Sequence, residues 1–570
     1  MKEFCEIYNI SSLIKEPTCY KSIDNPLCID LILTNKTRSF QNTTVCETGL
    51  SDFHKMTITV LKTCFRKLKP QIISYRDYKN FHNDAFRRDL LQNISYYPDI
   101  LSEDTFEATL LHILNFHAPL KKKYIRGNQQ PFITKEYTKA VTKRSRFRNK
   151  YLLKKTPENR QNYTQQRNFC VNLLRKIKKE YYNKLDIKKI TDNKTFWKYI
   201  KPSFTDKINT NEQITIIKEE NIITDSFKIA QMMNKFFSNV VEILDIPEDN
   251  GTTSNTGDIS DPIEKAVCKY RNHPSVIRIK GAHNNDISFS FKHTNITTVK
   301  NLILELNVKK ATPKDGIPVK VLRDNHDILS PIICKNFNLG LDVCDFPKNL
   351  KKAEIKPTYK NDDRCLKENY RPVSLLPIVS KFFEKILYTQ INLHFTPFFS
   401  PLQCGFRKTH STQNSLLFLL EKWIKALDAK QSAGIILTDL SKAFDCIRHD
   451  LLLAKLQAYD MDFGSLNYMF NYLSNRKQRV RINNEFSEWE DIKYGVPQGS
   501  ILGPLIFNIY IADLFTFDDS CNIINYADDN SPFACENAIE EVIKTLESNT
   551  EYIIQWVKNN FLKINPDKSY

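Results

Sequence analysis

Several features that define other protein classes are missing from this sequence. None of its 14 cysteines stands in a Cys-x-x-Cys pair, so neither a zinc knuckle nor a disulfide framework is indicated. Met1–Glu16 has no apolar signal core, and no run approaches the roughly 18 apolar residues of a membrane span. No internal repeat is visible. These absences predict a reduced, soluble, intracellular protein, in the nucleus or cytoplasm, with no membrane partner.

The size and charge of the chain point to a folded protein with an anionic partner. At 570 residues and 66.7 kDa it has room for several domains, and 41% hydrophobic and 26% charged residues are ordinary for a folded chain. The net charge is +18, which favours nucleic acid or an acidic membrane surface. Residues 121–200 carry 24 Lys and Arg against five Asp and Glu, so this segment accounts for the whole excess.

The basic segment has the composition of long helices. Its charge is densest at Lys143–Lys150 and Arg175–Lys179, and few glycines or prolines interrupt it. Aromatic residues able to pack or to stack on bases are interleaved with the charge: Tyr151, Tyr163, Tyr181, Tyr182 and Trp197. The pattern predicts one or two basic helices that contact an RNA or DNA backbone in a salt-sensitive, sequence-blind manner. The alternative is a solvated helical face.

Two adjacent aspartates, Asp528 and Asp529, follow the short apolar run Ile523–Ile524. Like charges side by side repel each other unless a cation lies between them. Because neighbouring strand residues point to opposite faces, two consecutive carboxylates reach one site best at a tight turn. A hard divalent metal, which takes oxygen ligands, would relieve the repulsion. The alternative is a solvated Asp-Asp turn.

Two upstream segments change the balance between these alternatives. Residues 435–437, Ile-Ile-Leu, predict a short buried strand, and Asp439 stands at its carboxyl end. Residues 495–504, Gly-Val-Pro-Gln-Gly-Ser-Ile-Leu-Gly-Pro, predict a loop that runs into an apolar segment. Three carboxylates at two strand ends, with a glycine-rich loop between them, form the layout of a two-metal nucleotidyl-transfer site.

These segments resemble motifs A, B and C of reverse transcriptases, with Tyr526–Asp529 as the tyrosine-x-aspartate-aspartate box. Asp439–Asp445 and Asn369–Leu375 resemble the corresponding phrases of non-LTR (LINE-type, jockey-like) retrotransposons. The resemblance implies an α/β (α+β) fold: a right-hand polymerase with fingers and a palm built on a ferredoxin-like antiparallel sheet. It also implies an RNA-directed DNA polymerase that adds deoxynucleoside triphosphates to a DNA primer on an RNA template.

Two rival functions remain open. One is another right-hand polymerase, such as an intron maturase or a viral RNA polymerase, although Phe444 and Ala527 argue against the viral enzyme. The other is a catalytically incompetent fragment of such an element that only binds nucleic acid.

The resemblance assigns the metal site and the sugar contact. The expected ligands of Mg²⁺, with Mn²⁺ as a possible substitute, are Asp439, Asp528, Asp529 and the Leu440 carbonyl. Phe444 would lie beneath the incoming sugar and exclude a ribose 2′-hydroxyl, the alternative being ordinary core packing.

The resemblance also assigns the remaining contacts to substrates. Arg371 would bind the incoming triphosphate, since a planar guanidinium can bond two oxygens at once. Gln498 and Gly499 would lie under the nucleotide and the template base, where a glycine permits close backbone approach. Lys568 would protonate or neutralise the pyrophosphate. Tyr526 would support the primer end, and Arg407 would contact the template. Plain surface charge is the alternative for Arg371, Arg407 and Lys568.

Two phrases near the amino terminus suggest another activity. Residues 28–35 predict a strand that carries Asp30, and residues 48–55 predict a loop that carries Asp52 and His54. An aspartate beside a histidine can orient its imidazole for phosphodiester chemistry. The phrases resemble the end of an apurinic-type endonuclease/exonuclease/phosphatase domain, although Phe53 here separates Asp52 from His54. Sixty-five residues cannot build that fold, so we expect no endonuclease activity.

The sequence therefore predicts four regions: an endonuclease remnant (1–65), a basic, mainly helical linker region (66–245), a polar linker (246–290), and reverse transcriptase fingers and palm without a thumb (291–570). Within the last region, four helices are expected at Val299–Val308, Ile378–Phe395, Asn414–Ala429 and Leu546–Val557.

Overall fold

A computed structural model describes residues 10–20, 25–34, 37, 40–46, 54–61, 71–96, 103–125, 132–183, 214–218, 221–246, 259–282, 288–307, 316–360, 362–515 and 522–569. The chain divides into two compact units. The first comprises Met1–Gln71 and Tyr124–Thr210, and the second comprises Ile72–Lys123 and Asn211–Tyr570.

Helices and strands alternate irregularly along the chain. The strands are β1 Ser11–Ser12, β2 Leu33–Thr34, β3 Phe40–Cys46, β4 Met56–Leu61, β5 Gln71–Arg76, β6 Leu120–Ile125, β7 Ile216–Lys218, β8 Asn221–Ile223, β9 Lys352–Tyr359, β10 Tyr370–Leu375, β11 Ser432–Ile435, β12 Thr438–Asp439, β13 Arg476–Ile482, β14 Glu485–Phe486, β15 Glu490–Ile492, β16 Ile523–Tyr526 and β17 Asp529–Glu536.

The helices are α1 Asn83–Tyr96, α2 Glu103–His117, α3 Lys135–Leu153, α4 Pro157–Asn183, α5 Ser226–Ser238, α6 Val240–Ile243, α7 Pro262–Lys269, α8 Pro274–Ala282, α9 Ile296–Glu305, α10 Val319–Asp324, α11 His326–Asp342, α12 Ile378–Phe395, α13 Thr412–Asp428, α14 His449–Ala458, α15 Phe463–Leu473, α16 Gly503–Ile511 and α17 Ile539–Asn559. Mixed helix and sheet therefore confirms the α/β class.

The first unit contains a helical hairpin. The Thr134 side chain caps α3 by accepting a hydrogen bond from the Tyr137 amide. Gln166 of α4 donates to the Ala140 carbonyl of α3 at 3.2 Å, and the small buried residues Ala140 and Cys170 let the two helices pack closely. The prediction of one or two long helices in the basic segment is confirmed.

The amino-terminal strands of the first unit are short. A strand was predicted at residues 28–35; of the described residues 28–34, Leu33–Thr34 form a strand, which pairs antiparallel with Ser11–Ser12. Residues 28–30 instead form an exposed loop, because the Thr18 hydroxyl accepts hydrogen bonds from the Ile29 and Asp30 amides and so takes the place of a sheet partner. The strand prediction for that stretch was wrong.

The two larger sheets lie in the second unit. In the first, β9 pairs antiparallel with β10 and parallel with β13, which also pairs with β14 and β15. Its buried residues, among them Ile355 and Val480, pack against Met233 and Phe237 of α5. In the second sheet, which is antiparallel throughout, β17 pairs with β11, β12 and β16.

Residues predicted to lie in the polar linker belong to the second unit. The polar stretch at 246–262 prompted that prediction, but helices α7 and α8 follow it. Ile263 and Ala266 recur at helical spacing, and both are buried, as is Ile279. Because α7 and α8 contribute apolar side chains to the main core, the linker prediction was wrong over 262–282.

The four helices predicted in the carboxyl-terminal half are confirmed. Helix α12 spans Ile378–Phe395 as expected, while α9, α13 and α17 differ from the predictions at their ends. Ile355 lies in strand β9. Among the described helices, none combines the length and the apolar character that crossing a membrane requires.

Candidate active site

The two adjacent aspartates lie at a tight turn, as predicted. Tyr526 pairs with Asp529 across β16 and β17, so Ala527 and Asp528 form the turn between them. Ala527 has φ of +62°, the left-handed conformation that two-residue hairpin turns require. The Asn525 side chain is buried and donates hydrogen bonds to the Ala527 carbonyl at 2.7 Å and to the Asp529 carbonyl at 3.2 Å. Sequence reasoning missed Asn525, which closes the turn.

Residues 402–405 support this turn. The Cys404 amide donates to the Asn525 carbonyl at 2.9 Å, and the Asn525 amide donates to the Leu402 carbonyl at 3.0 Å. A Cβ atom on Gly405 would lie 2.2 Å from the Ala527 nitrogen, so only glycine allows this approach.

Asp439 reaches the same place from β12. It pairs with Asp529 of β17, which brings the third carboxylate beside the turn. The buried strand predicted at residues 435–437 is not present in that form. Strand β11 ends at Ile435, and Leu437 is 48% exposed. The helices α13 and α17 pack against β11, β16 and β17 of this sheet.

The segment 563–568 lies along Asp439. The Asn565 amide donates to the Asp439 carbonyl at 2.8 Å, and its side chain donates to the Asp439 carboxylate at 3.2 Å. The Lys568 ammonium lies 3.1 Å from the same Asp439 oxygen. Lys568, predicted as a pyrophosphate contact, therefore lies next to a predicted metal ligand.

The charges around Asp439 perturb one another. Burial raises the pKa of Asp529, and the negative charges of Asp528 and Asp439 raise it further. The pKa of Lys360 is lowered, first by a hydrogen bond with Lys568 and then by burial. Carboxylates and ammonium groups thus face each other closely enough to interact strongly.

The donor atoms fit a divalent cation by their chemistry. Asp439, Asp528 and Leu440 line one cavity and supply only oxygen atoms, the ligands that hard cations prefer. A cation there would relieve the repulsion that raises the pKa of Asp529. Within the described residues, no group of three or more His, Cys, Asp or Glu side chains is already arranged to hold a metal ion. At Asp439 the Lys568 ammonium supplies the positive charge instead.

The cavity has a volume of about 540 Å³. Eight of the predicted polymerase-site residues line it: Arg371, Asp439, Leu440, Phe444, Gln498, Gly499, Asp528 and Lys568. Sequence reasoning gave no role to four charged lining residues: Lys360, Glu368, Lys442 and Asp445. Asp445 ends the phrase that carries Asp439, so its position offered a signal, and Lys360 directly follows β9.

Phe444 forms one wall of the cavity. Its ring stacks on Phe507, with centroids 4.7 Å apart and planes at 23°, and meets the Phe406 ring edge-on at 5.6 Å. These contacts fix the ring in place, because aromatic pairs of both geometries are favourable.

The loop with Gln498 and Gly499 lies against β10. The Ser374 amide donates to the Gln498 carbonyl at 2.7 Å. Gly499 has φ of +111°, and a Cβ atom there would lie 3.0 Å from the Ser374 carbonyl oxygen. Glycine is therefore required at this position both by its conformation and by its close approach to the strand. The Gln498 side chain donates to both Asp445 carboxylate oxygens, at 3.0 and 2.9 Å.

Three predicted polymerase residues do not line the cavity: Asp529, Tyr526 and Arg407. Tyr526 is 37% exposed beside the turn. Arg407 donates to the Ser400 and Gln403 carbonyls at 2.6 and 2.8 Å, and burial lowers its pKa. This guanidinium stabilises its own loop, and its contact with a template stays a prediction.

The endonuclease-like residues lie in the first unit. Asp30 and His54 are both exposed, and Asp52 lies outside the described residues. His54 pairs with Cys19 through an isolated bridge, with the imidazole Nε2 3.9 Å from the Cys19 sulfur. The segments that carry Asp30 and His54 therefore meet at Thr18–Cys19.

Comparison with known proteins agrees with the geometry. Residues 355–570 match the family described as Reverse transcriptase (RNA-dependent DNA polymerase). The chain is 29% identical over 295 residues to a probable RNA-directed DNA polymerase from transposon BS of Drosophila melanogaster, which is 50% of this chain and 32% of that protein.

The RNA-directed DNA polymerase from mobile element jockey of the same species is 29% identical over 294 residues, with the same coverage of both chains. A probable RNA-directed DNA polymerase from its transposon X-element is 33% identical over 148 residues, 26% of this chain and 16% of that protein. The chain thus matches about a third of the length of the first two relatives. Its residues 355–570 thus match the reverse transcriptase family, and the chain is similar to RNA-directed DNA polymerases of the Drosophila elements BS and jockey.

Proposed function

We propose that this chain is an RNA-directed DNA polymerase of a non-LTR retrotransposon, which adds deoxynucleotides to a primer 3′ end on an RNA template. One observation carries the proposal: carboxylates and cations from distant segments line a single cavity of about 540 Å³ beside the Tyr526–Asp529 turn. Nucleotidyl transfer needs both, since the triphosphate is an anion and the reacting oxygens need a metal.

The chain's own side chains would bind and orient the nucleotide. Lys360, Arg371 and Lys568 act on one another electrostatically, and together they offer positive charge to a triphosphate. Asp439, Asp528 and the Leu440 carbonyl would hold divalent ions, Mg²⁺ or Mn²⁺, with Asp529 beside them. Bound there, the metal lowers the pKa of the primer hydroxyl and neutralises the leaving pyrophosphate.

Phe444 would select deoxynucleotides. Its ring is held by Phe507 and Phe406 and borders the cavity, so a ribose 2′-hydroxyl would meet a ring that cannot move aside. Rejection by such a wall depends on rigidity, because a mobile ring would admit the larger sugar.

The architecture fits the same proposal. The sheet of β9, β10 and β13 would belong to the fingers, and the antiparallel sheet of β11, β12, β16 and β17 would be the ferredoxin-like palm. We propose further that the α3–α4 hairpin contacts RNA or DNA backbone through its exposed Lys and Arg side chains. As a separate proposal, Tyr526 would support the primer end and Arg407 would contact the template. Residues 1–65, with Asp30, Asp52 and His54, would be an endonuclease remnant.

Primer extension on a poly(rA)/oligo(dT) template tests the proposal. We expect incorporation of dTTP but not UTP in Mg²⁺ or Mn²⁺, and its loss in Asp528→Asn. Phe444→Val should admit UTP while dTTP incorporation continues. Binding of RNA without any incorporation would instead identify a catalytically incompetent nucleic-acid-binding chain.

A further inference from the structure

Helix α13 presents an apolar stripe to solvent. On its inner face, Leu419 packs with Ile524 of β16 and Phe533 of β17. On the side away from the sheet, five large aliphatic side chains are between 49% and 67% exposed: Leu416, Leu417, Leu420, Ile424 and Leu427. In the part of the chain that the structure describes, none of the five joins a buried apolar cluster. The helix is therefore apolar on two faces, and the described residues cover one of them.

The stripe has the spacing of a helix–helix seam. Four of its residues follow one another at intervals of three, four and three: Leu417, Leu420, Ile424 and Leu427. These are the a and d positions of two heptads, and they form one ridge about 15 Å long. Apolar residues exposed singly are normal on a protein surface, whereas a contiguous apolar patch marks a site of interaction.

The area of the stripe matches what a contact between two copies of the chain requires. Its five side chains leave about 500 Å² of apolar surface in water, near the upper end for a monomeric protein. Two such stripes in contact would bury about 1,000 Å², the lower limit for a specific protein–protein interface. An occupant with a smaller apolar face would leave part of the stripe in water. The stripe thus needs an occupant as apolar as itself, which a second copy supplies.

The spacing also sets the orientation, because it reads the same in both directions. In an antiparallel pair, Leu417 of each copy meets Leu427 of the other. Leu420 of each copy likewise meets Ile424 of the other. Every apolar side chain of the ridge thereby has an apolar partner.

The two flanks of the ridge favour the antiparallel pair over a parallel one. In an antiparallel pair, the flank that carries Leu416 meets the same flank of the second copy. In a parallel pair it would meet the flank that carries Glu421. The antiparallel arrangement keeps Glu421 at the rim, where Lys425, 2.6 Å away, offsets its charge.

We propose that α13 is the contact between two copies of this chain, packed antiparallel about a two-fold axis through the middle of the stripe. Such a contact uses the same surface on both copies and closes as a dimer. The inference goes beyond the proposed polymerase function, since none of the five side chains lines the cavity.

Sedimentation equilibrium of the full chain tests the proposal. Concentrations from about 1 to 100 µM cover the dissociation constants expected of a small interface. In about 1 M NaCl the Debye length is only about 3 Å, so RNA cannot bridge two basic hairpins. We expect the mass to approach twice the 66.7 kDa of one chain. Leu420→Glu/Ile424→Glu should stay at 66.7 kDa, because the dimer would bury carboxylates without partners.

Ile277→Glu/Leu393→Glu is the matched control. It places the same two charges at exposed apolar positions of α8 and α12, which are 56% and 79% exposed, and it should keep the dimer. The far-ultraviolet circular dichroism of both double variants should match that of the wild type, since each replaced side chain is exposed in the single chain.

A mixing experiment tests the orientation at physiological ionic strength. Leu417→Glu and Leu427→Lys should each dimerise at least about tenfold more weakly than the wild type. Mixed together, the two variants should associate again. The antiparallel pair sets the new carboxylate of one chain against the new ammonium group of the other, and the second contact between Leu417 and Leu427 stays intact.

A wild-type chain that stays at 66.7 kDa at every concentration would overturn the inference. Binding of that monomer to phosphatidylcholine vesicles would identify a lipid surface as the occupant instead. A dimer that survives Leu420→Glu/Ile424→Glu, or one that is lost equally in Ile277→Glu/Leu393→Glu, would overturn it too. If Leu417→Glu and Leu427→Lys fail to associate when mixed, the antiparallel pairing is wrong.

Discussion

In the cavity the carboxylates of Asp439 and Asp445 have partners that fix their positions, whereas in the α3–α4 hairpin most Lys and Arg side chains face solvent. Asp439 is held by Asn565 and Lys568, and Asp445 by Gln498. In the hairpin the exposed cations include Lys143, Arg146, Arg148, Arg175, Lys176 and Lys179. Positioned charges recognise particular atoms of a substrate. Solvated charges attract any polyanion, and their effect depends on their number and on the salt concentration.

From this comparison we expect that a charged residue in the cavity cannot be replaced without a large loss of activity. Asp439→Asn keeps the shape of the side chain but removes the charge that would hold the metal. A metal contributes several kcal/mol, so we expect nucleotide incorporation to fall roughly a thousandfold. Chelation by EDTA should stop the wild-type reaction as well. The measurement is the single-turnover incorporation of dTTP.

Asp491→Asn is the control for that experiment, because Asp491 forms an exposed ion pair with Lys477, 3.2 Å away, on β13 and β15. It should incorporate dTTP at close to the wild-type rate. A rate for Asp439→Asn above about a tenth of the wild-type rate would argue against a metal-ligand role.

A buried ion pair in the second unit should contribute strongly to the free energy of unfolding. Lys455 and Asp513 lie 2.7 Å apart, and both side chains are fully buried. Lys455→Met removes the ammonium group that lies nearest to a fully buried carboxylate, which should cost about 3–5 kcal/mol. The Trp556 indole donates to Asp513 at 2.8 Å, so its fluorescence during urea unfolding reports on this site.

The double variant Lys455→Met/Asp513→Leu should recover much of that loss, since it removes both charges. On the hairpin, Lys176→Met should change stability by less than about 0.5 kcal/mol. Equal losses in Lys176→Met and Lys455→Met would remove the distinction between the two regions.

In the hairpin the number of positive charges should decide how tightly RNA binds and how strongly salt weakens the binding. We expect replacement of six exposed cations by glutamine to weaken binding of single-stranded RNA and to reduce the salt slope of log K by roughly 4. The six are Lys143, Arg146, Arg148, Arg175, Lys176 and Lys179. Fluorescence anisotropy across a salt series measures this slope.

The matched variant exchanges Lys for Arg, and Arg for Lys, at the same six positions. It keeps the charge, and it should therefore keep the slope. A slope that falls in the exchanged variant would mean that these side chains make specific contacts, as the cavity residues do.

A small effect on stability is expected at a partly exposed ion pair. Arg87 of α1 donates to both carboxylate oxygens of Asp327 in α11, and this hydrogen bonding lowers the pKa of Asp327 from 3.8 to about 2. The side chains are 29% and 49% exposed, so solvent screens the pair, and Asp327→Asn should cost no more than about 1 kcal/mol near neutral pH.

The pH dependence of the unfolding free energy tests the direction of the Asp327 pKa shift. A carboxylate with a depressed pKa in the folded state contributes its stability above pH 3.8, and loses it as the pH falls toward 2. The difference between wild type and Asp327→Asn in urea unfolding should therefore shrink below pH 4. A difference that grows in acid would contradict the assignment.

Much of the site could be read from the sequence, because its chemistry is concentrated in short phrases. The turn at Asp528 follows from local geometry, whereas the glycine requirement at Gly499 also depends on the close approach of Ser374. Glu384 shows what such reasoning misses. It stands in α12 as an ordinary polar residue, but it is fully buried and accepts hydrogen bonds from the Tyr472 hydroxyl and the Ile501 amide, which lies in the loop after Gln498.

The sequence by itself determined the class of chemistry, the turn at Asp528 and the location of the excess positive charge, since these depend on residue type and short spacing. Only the tertiary structure decided the partners: Lys568 beside Asp439, Asp445 beneath Gln498, and α7 and α8 in the core instead of in a linker. The physical reason is that pKa, side-chain orientation and burial depend on atoms that distant segments bring within a few ångströms, and spacing along the chain does not encode those neighbours.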